Sequence, residues 1–254
     1  MLIIERQQRV LDILRQRRTA QLEELARELD VSPSTIRRDL ELLEEKGMVE
    51  RTRAGAIYRD VPSDTSLDMT RRMIEHVAEK NAIGRAAAAL VQPQMTVLLD
   101  GGSTVVFAAR HITARPIQVV TNSILVANHF VEDEQVELLL VGGSLYPRTG
   151  VTVGPIATGC LADLHADVLL FSLAGIYDNE AFNINLTMAQ VEQVMMRQAA
   201  RSVLLMDSSK FGRKSLVRVC GLDEVERIIT DSNIGPEWRD RCGERLVVAE
   251  SPPN

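Results

Sequence analysis

From Met95 onward the chain keeps repeating one arrangement, a short apolar run, a glycine- or hydroxyl-rich break, and a helical stretch. The runs are "MTVLLD", "IQVVTNS", "VELLLVGG", "DVLLFSLAG", "SVLLMDSSK" and "RIITDS", and a short "RLVVAE" follows a helix near Trp238. Between them lie "VVFAARHI", "ILVANHFV" and the longer "MAQVEQVMMRQAA". Near-continuous apolar strands set between helices indicate a mostly parallel sheet covered on both faces, an α/β fold. Aromatic residues make up only 4% of the chain, so its core must be built from Leu, Val, Ile, Ala and Met.

The first 60 residues follow a different rule. In "ERQQRVLDILRQRR" Val10, Leu11 and Leu14 fall at helical spacing, with Ile13 beside them. After a break at Thr19-Ala20, "AQLEELARELD" places Leu22, Leu25, Ala26 and Leu29 on one face. "DVS" leaves room only for a tight turn. Ser32 then precedes Pro33, a capping residue followed by proline at the first helical position. The third helix is expected to run to about Lys46 and to stop at Gly47. "MVERTRAGAIYR" reads as two short strands around Ala54-Gly55. Three helices and a hairpin make a mainly α winged helix-turn-helix. The expected division is residues 1–58 for this head, 59–75 for a linker holding Pro62 and several Ser, Thr and Asp, and 76–254 for the α/β domain.

Charge supports a division of labour. The net charge of −6 argues against a chain coated for nucleic acid, but residues 1–60 hold 12 Lys/Arg and 12 Asp/Glu, against 17 and 23 in the rest. A neutral head with its cations on one face still grips DNA, because affinity depends on local charge at phosphates.

On the third helix Ile36, Leu40 and Leu43 form one narrow stripe. Ser34, Arg38 and Glu41 lie opposite, flanked by Thr35 and Arg37. In a helix-turn-helix this outward face reads DNA. Arginine forks onto guanine or clamps phosphate, serine and threonine donate to either, and a helix N-terminus favours phosphate. The competing reading is a solvated face with Arg37 and Arg38 paired to Asp39 or Glu41. The order of elements, with Arg51 and Arg53 on the wing, favours DNA. Ser32, Ser34, Thr35, Arg37, Arg38, Arg51 and Arg53 are the candidate contacts.

In the α/β domain four loops follow strand C-termini, where parallel sheets bind ligands. They are Asp100-Gly101-Gly102-Ser103-Thr104, Thr121-Asn122-Ser123, Gly142-Gly143, and Asp207-Ser208-Ser209-Lys210. Glycines admit close backbone approach, hydroxyls and a helix start favour an anion, and lysine is a point charge suited to phosphate. Each loop taken alone is also explained as a capped turn.

"VSPSTIRRDLELLEEKGMVERTRAGA" resembles the DeoR family of bacterial transcriptional regulators, matching its recognition helix at Ser32, Thr35, Ile36, Arg37, Arg38, Asp39 and Leu40. The wing departs from the family pattern, with Arg53 where His is usual and Ala54 where the first Gly is usual. Asp100, Gly102 and Thr104, Thr121-Asn122, Gly142-Gly143 and Asp207 to Lys210 resemble the family's sensor domain, itself similar in fold to ribose-5-phosphate isomerase. The resemblance implies a phosphorylated sugar or related metabolite as effector. Ala189 and Gln193 stand where the family tends to carry Glu and Lys. In "FNIN", Asn183 and Asn185 either reach a polar ligand or shape a structural loop.

An isomerase needs a tuned carboxylate base, and Asp100, Asp178 and Asp207 are the acids available, with no acidic pair in one loop. A pure oligomerisation domain would leave the polar loops unexplained. The expected function is therefore that of a DNA-binding regulator, a repressor of carbohydrate genes rather than an enzyme. Its expected partners are double-stranded operator DNA, the effector, and copies of itself in a homodimer or larger assembly. No cofactor or metal is expected from the scattered histidines and cysteines (Cys160, Cys220, Cys242), which are read as reduced and buried or half-buried. No apolar run reaches the roughly 18 residues a membrane span needs, and the N-terminus meets charge too early for a signal peptide, so a cytoplasmic location is expected.

Overall fold

The chain separates into two units, Met1–Val77 and Ala78–Asn254, and the computed structural model describes residues 3–45, 47–58 and 68–250 of them. In the first unit, α1 (Ile3–Arg17) turns Val10, Leu11 and Leu14 inward. A three-residue strand, β1 (Thr19–Gln21), leads into α2 (Leu22–Glu28), and α3 (Pro33–Glu45) follows the turn at Asp30. Ile36, Leu40 and Leu43 of α3 are each at most 1% exposed. Burial of each contributes roughly 1.5–3 kcal/mol before entropy is counted. They pack with Leu11, Leu14, Leu25, Leu29 and Met48 in one cluster.

The end of α3 is set by backbone chemistry. Gly47 adopts φ +69, its N–H donates to the Glu44 carbonyl at 2.8 Å, and Met48 N–H donates to Leu43 at 2.9 Å. This pair of bonds closes the last turn with a left-handed glycine. Lys46, the expected last residue, lies outside the described residues.

The wing is larger than a hairpin. β2 (Val49–Arg51) and β3 (Gly55–Tyr58) pair antiparallel, and β1 adds to the other edge of β3 in the order β1-β3-β2. Thr19-Ala20, read from sequence as a break, is thus a strand, with Ala20 opposite Ala56. Of the expected linker, residues 59–67 lie outside the described residues. Its remainder includes α4 (Met69–Arg72), capped by Asp68, and Ile74, which packs into the head's core.

The chain passes into the second unit at the start of α5 (Val77–Ala88), and β4 (Thr96–Leu99), α6 (Ser103–His111), β5 (Ile117–Thr121), α7 (Ile124–Phe130) and β6 (Val136–Leu140) follow. The hairpin β7 (Ser144–Tyr146) and β8 (Val151–Val153) follows, then α8 (Pro155–Ala162) and β9 (Val168–Phe171). Next come β10 (Gly175–Tyr177), β11 (Glu180–Asn183), α9 (Leu186–Gln198), β12 (Ser202–Leu205) and β13 (Val217–Gly221). β14 (Arg227–Asp231), α10 (Pro236–Cys242) and β15 (Leu246–Ala249) complete the described elements.

All seven apolar runs of the sequence enter one sheet, ordered β15-β14-β12-β9-β4-β5-β6, with every neighbouring pair parallel. β9 and β12 are buried along their whole length, whereas the edge strand β6 shows Leu139 and Leu140 to solvent. The β7–β8 hairpin and the small antiparallel sheet β10-β11-β13 are additions to the strands expected from the sequence. Cys220 and Cys242 are buried, but Cys160 is exposed, contrary to expectation. Burial pushes the Cys220 thiol up to about 12, which keeps it protonated and unreactive near neutral pH.

Candidate DNA-reading face and effector site

At the start of α3 three hydroxyls converge. Ser32 Oγ lies 2.8 Å from both Ser34 Oγ and Thr35 Oγ1 and accepts from Thr35 N–H at 3.2 Å. With Pro33 in the first turn, this fixes a helix N-terminus that carries positive potential outward. Ser34, Arg37 and Arg38 are exposed and Thr35 is half-buried.

The carboxylates of α3 do not pair with its arginines. Asp39 is 2% exposed and takes a forked bond from Arg6 of α1, Nε at 2.5 Å and Nη2 at 3.2 Å, with Gln7 Nε2 at 3.4 Å. That bond, first among its causes, holds the Arg6 guanidinium above its ordinary value. Glu41 pairs with Arg51 at 3.0 Å, and Glu44 accepts from Arg51 N–H at 2.9 Å. The solvated-face reading, with Arg37 and Arg38 tied to Asp39 or Glu41, is therefore not the arrangement adopted. Among the described residues Arg37, Arg38 and Arg53 have no ion-pair partner. Arg51, expected at the DNA, instead ties β2 to α3. The wing's Ala54 is exposed, and its carbonyl accepts from Leu22 N–H at 2.8 Å, so the hairpin is anchored to the start of α2.

In the second unit the predicted loops lie along one edge of the sheet, as its parallel order requires. β4 and β5 are neighbours, and so are β5 and β6, but β12 is separated from β4 by β9. The Asp207–Lys210 loop is thus two strand spacings, roughly 9–10 Å, from the Asp100–Thr104 loop. Asp100 is buried and its Oδ2 accepts from Ser172 N–H at 3.3 Å, which links the loops after β4 and β9. Ser103 and Thr104 are buried in the first turn of α6. Thr121 Oγ1 accepts from Ser123 N–H at 3.0 Å, and Ser123 Oγ caps α7 through Val126 N–H. Asn122, 2% exposed, donates through Nδ2 to the Thr152 carbonyl at 3.0 Å, while its Oδ1 is buried without a hydrogen-bond partner. Such an oxygen is costly to leave unmatched and marks a place for a donor. Gly142 and Gly143 are exposed beside the β7–β8 hairpin. Asp207 accepts from Ser209 N–H at 3.2 Å, and the half-buried Lys210 follows one residue later.

The glycines after β4 also have a packing role within the chain. A Cβ on Gly101 would lie 2.0 Å from Val151 Cγ1, and one on Gly102 would lie 2.6 Å from Ser172 Cβ. The space is occupied by this chain's own side chains, so these glycines permit internal packing at the loop.

Several residues at this edge carry no motif in the sequence. Ser172, Thr152 and Asp231 each hold a loop in place by hydrogen bonds; Asp231, for instance, accepts from Ser208 N–H at 2.7 Å and from Ser208 Oγ at 2.9 Å. A polar residue directly after an apolar run, as in "LFS" and "IITD", is the available signal. "FNIN" takes the structural alternative. Asn183 is buried and donates to Glu192 Oε1 at 2.5 Å, and Asn185 caps α9 through Met188 N–H at 3.1 Å. Gln193 donates to the Val219 carbonyl at 3.2 Å and Ala189 is fully buried. Of the acids weighed as an isomerase base, Asp178 is exposed and paired with Arg241 at 2.8 Å. Among the described residues no helix is long and apolar enough to cross a membrane.

Comparison with known proteins agrees with both units. Residues 6–61 match the DeoR-like helix-turn-helix domain and residues 75–232 the DeoR C terminal sensor domain. The chain is 35% identical over 228 residues to the L-fucose operon activator of Escherichia coli (strain K12), covering 89% of this chain and 94% of that one. It is 33% identical over 249 residues to the HTH-type transcriptional repressor GlcR of Bacillus subtilis (strain 168), covering 97% and 96%. Among solved structures, ribose 5-phosphate isomerase A of Methanocaldococcus jannaschii matches with TM-score 0.37 at 17% identity over 52% of this chain and 53% of that one. The sorbitol operon regulator SorC of Klebsiella pneumoniae matches with TM-score 0.36 at 13% identity, covering 82% and 90%. These structural likenesses are too slight to carry a functional argument. The two family matches and the full-length relatives are sufficient: the chain belongs to the DeoR family of transcriptional regulators, with a DNA-binding winged helix-turn-helix ahead of a sensor domain.

Proposed function

We propose that this chain is a cytoplasmic repressor of carbohydrate genes whose hold on operator DNA is controlled by a phosphorylated sugar or related metabolite. The functional division follows the sequence reading, with a head over 1–58, a linker over 59–75 and a sensing and oligomerising domain over 76–254. One observation carries the DNA half. The acidic side chains Asp39, Glu41 and Glu44 of α3 are engaged by arginines from α1 and β2, which leaves Arg37 and Arg38 to the outward face. Ser32, Ser34, Thr35 and Arg53 are the further contacts of this reading, with Arg51 as a support for α3.

The effector half is supported by the polar loops at the sheet's C-terminal edge and by the unmatched Asn122 Oδ1. In this reading Asp100, Gly101, Gly102, Ser103, Thr104, Thr121, Asn122, Gly142, Gly143, Asp207 and Lys210 form the site. A ligand shifts the regulator only as far as its affinities for the two states differ. The names of the relatives point both ways on the sign of control, one an activator and one a repressor; GlcR, aligned over more of both chains, favours repression.

The test is a thermal-shift panel of sugar phosphates, the matching free sugars and inorganic phosphate on the full chain and on Lys210→Ala. A phosphorylated sugar should raise the Tm of the wild type and not of the variant. A panel in which no sugar phosphate acts would refute the effector reading. A reporter fused to the gene nearest the bound DNA should fall when the chain is supplied, and a rise would make it an activator.

A further inference from the structure

Of the four buried residues of α3, three are the aliphatic Ile36, Leu40 and Leu43, and the fourth is Asp39. An apolar stripe holds a helix against its neighbours but is non-directional, so it resists sliding and rotation weakly. A forked guanidinium–carboxylate bond is directional and fixes both partners in a plane. Arg6 reaches Asp39 from α1 through two nitrogens, and Gln7 adds a third donor from the same helix. Buried ion pairs contribute little net stability, because desolvation offsets most of their attraction. The value of this one is therefore sought in orientation.

The geometry requires close control. Side-chain tips lie roughly 5–6 Å from a helix axis, so a rotation of about 15° displaces them by about 1.5 Å. Hydrogen bonds to base edges tolerate only a few tenths of an ångström. Arg37 and Arg38 immediately precede Asp39, so the rotation that Asp39 sets is passed to them directly.

We propose that Asp39, clamped by Arg6, is a positioning residue for DNA readout: without touching DNA it fixes the rotation of α3 that aims Arg37 and Arg38 at their targets. This rests on the reading of α3 as the DNA-contacting helix. The test uses the duplex that the wild-type full chain enriches from a random-sequence library, against a scrambled duplex of equal length and composition. The quantity measured is the ratio of the two affinities, in Asp39→Asn, in Arg6→Lys (which keeps the charge and loses the fork), and in Arg38→Ala.

A purely structural role would reduce the folded fraction, lower both affinities together and leave the ratio unchanged. Positioning lowers the ratio by roughly ten-fold, within the range of one lost bidentate contact, while circular dichroism still reports a folded chain. Should Asp39→Asn fail to fold, Arg6→Lys decides by the same ratio. A folded Asp39→Asn or Arg6→Lys chain with the wild-type ratio overturns the proposal if Arg38→Ala lowers it. A wild-type ratio in Arg38→Ala as well overturns the reading of α3 itself.

Discussion

Gly101→Ala tests whether the loop after β4 is an open cradle or a packed joint. Its backbone φ lies outside the left-handed region, so alanine meets no conformational penalty there. The new methyl would be placed 2.0 Å from Val151 Cγ1 and 3.4 Å from Ser123 Cβ. Overpacking of a tight interior costs about 1–3 kcal/mol. The loss of glycine's freedom in the unfolded chain returns about 0.4–1 kcal/mol. The net destabilisation is thus on the order of 1–2 kcal/mol, or a Tm lower by about 2–8 °C for a unit of this size. Val151 is 4% exposed, and Val151→Ala removes two methyl groups for about 1.5 kcal/mol or somewhat more. In the double variant the clash is gone, so Gly101→Ala should cost nothing in the Val151→Ala background. Urea denaturation of the four proteins closes the cycle. An equal cost of Gly101→Ala in both backgrounds would refute the packing argument, and no cost in either would restore the open cradle.

Two further outcomes follow from the same structure. Arg53→Ala should weaken binding to operator and scrambled DNA alike and make the salt dependence shallower by about one counterion; a sequence-selective loss would instead make Arg53 a base reader. His111 and His129 both titrate below the usual histidine range, first because of burial and then because of Arg85 and Arg110 for the former and Arg110 and Arg115 for the latter. The folded chain therefore binds fewer protons than the unfolded one. Their contribution to stability is present above the unfolded histidine value of about 6.5 and is lost as pH falls through the lower folded values. Replacing both with Gln should flatten that decline in urea midpoints measured from pH 8 to pH 5, and an unchanged slope would assign it to other groups.

The main sheet was legible because buried parallel strands are written in continuous apolar letters, and no other element competes for "VLLFS" or "SVLLM". The head was legible because Ser32, Pro33 and Gly47 are local signals that act wherever they stand. β1 was not, since three residues carry no period and their pairing partner lies at Gly55 to Ile57, across two helices. The hairpin β7–β8 and the sheet β10-β11-β13 were missed for the same reason, being short strands whose edges are satisfied at long range. At the candidate site, residue types were readable but their partners were not. Asp39 and Glu41 stand beside Arg37 and Arg38 in sequence, yet their charges are met by Arg6 and Arg51 from other elements. Gly101 and Gly102 read as openings because the letters do not reveal that Val151 and Ser172 fill the space beside them.

The strand order also constrains how the molecule is made. β4, β5 and β6 emerge from the ribosome in succession and pair side by side, but the other edge of β4 is satisfied only by β9. Ser172, whose N–H meets Asp100, lies 72 residues further along the chain. Throughout that interval of synthesis a half-sheet exposes an unpaired apolar edge, the kind of surface that invites association with other chains. The head, whose strand pairings among the described residues all fall between Thr19 and Tyr58, is complete well before then. A nascent regulator thus has a finished DNA-binding end tethered to an unfinished sheet, and the risk of misassembly is concentrated in the time before β9 arrives.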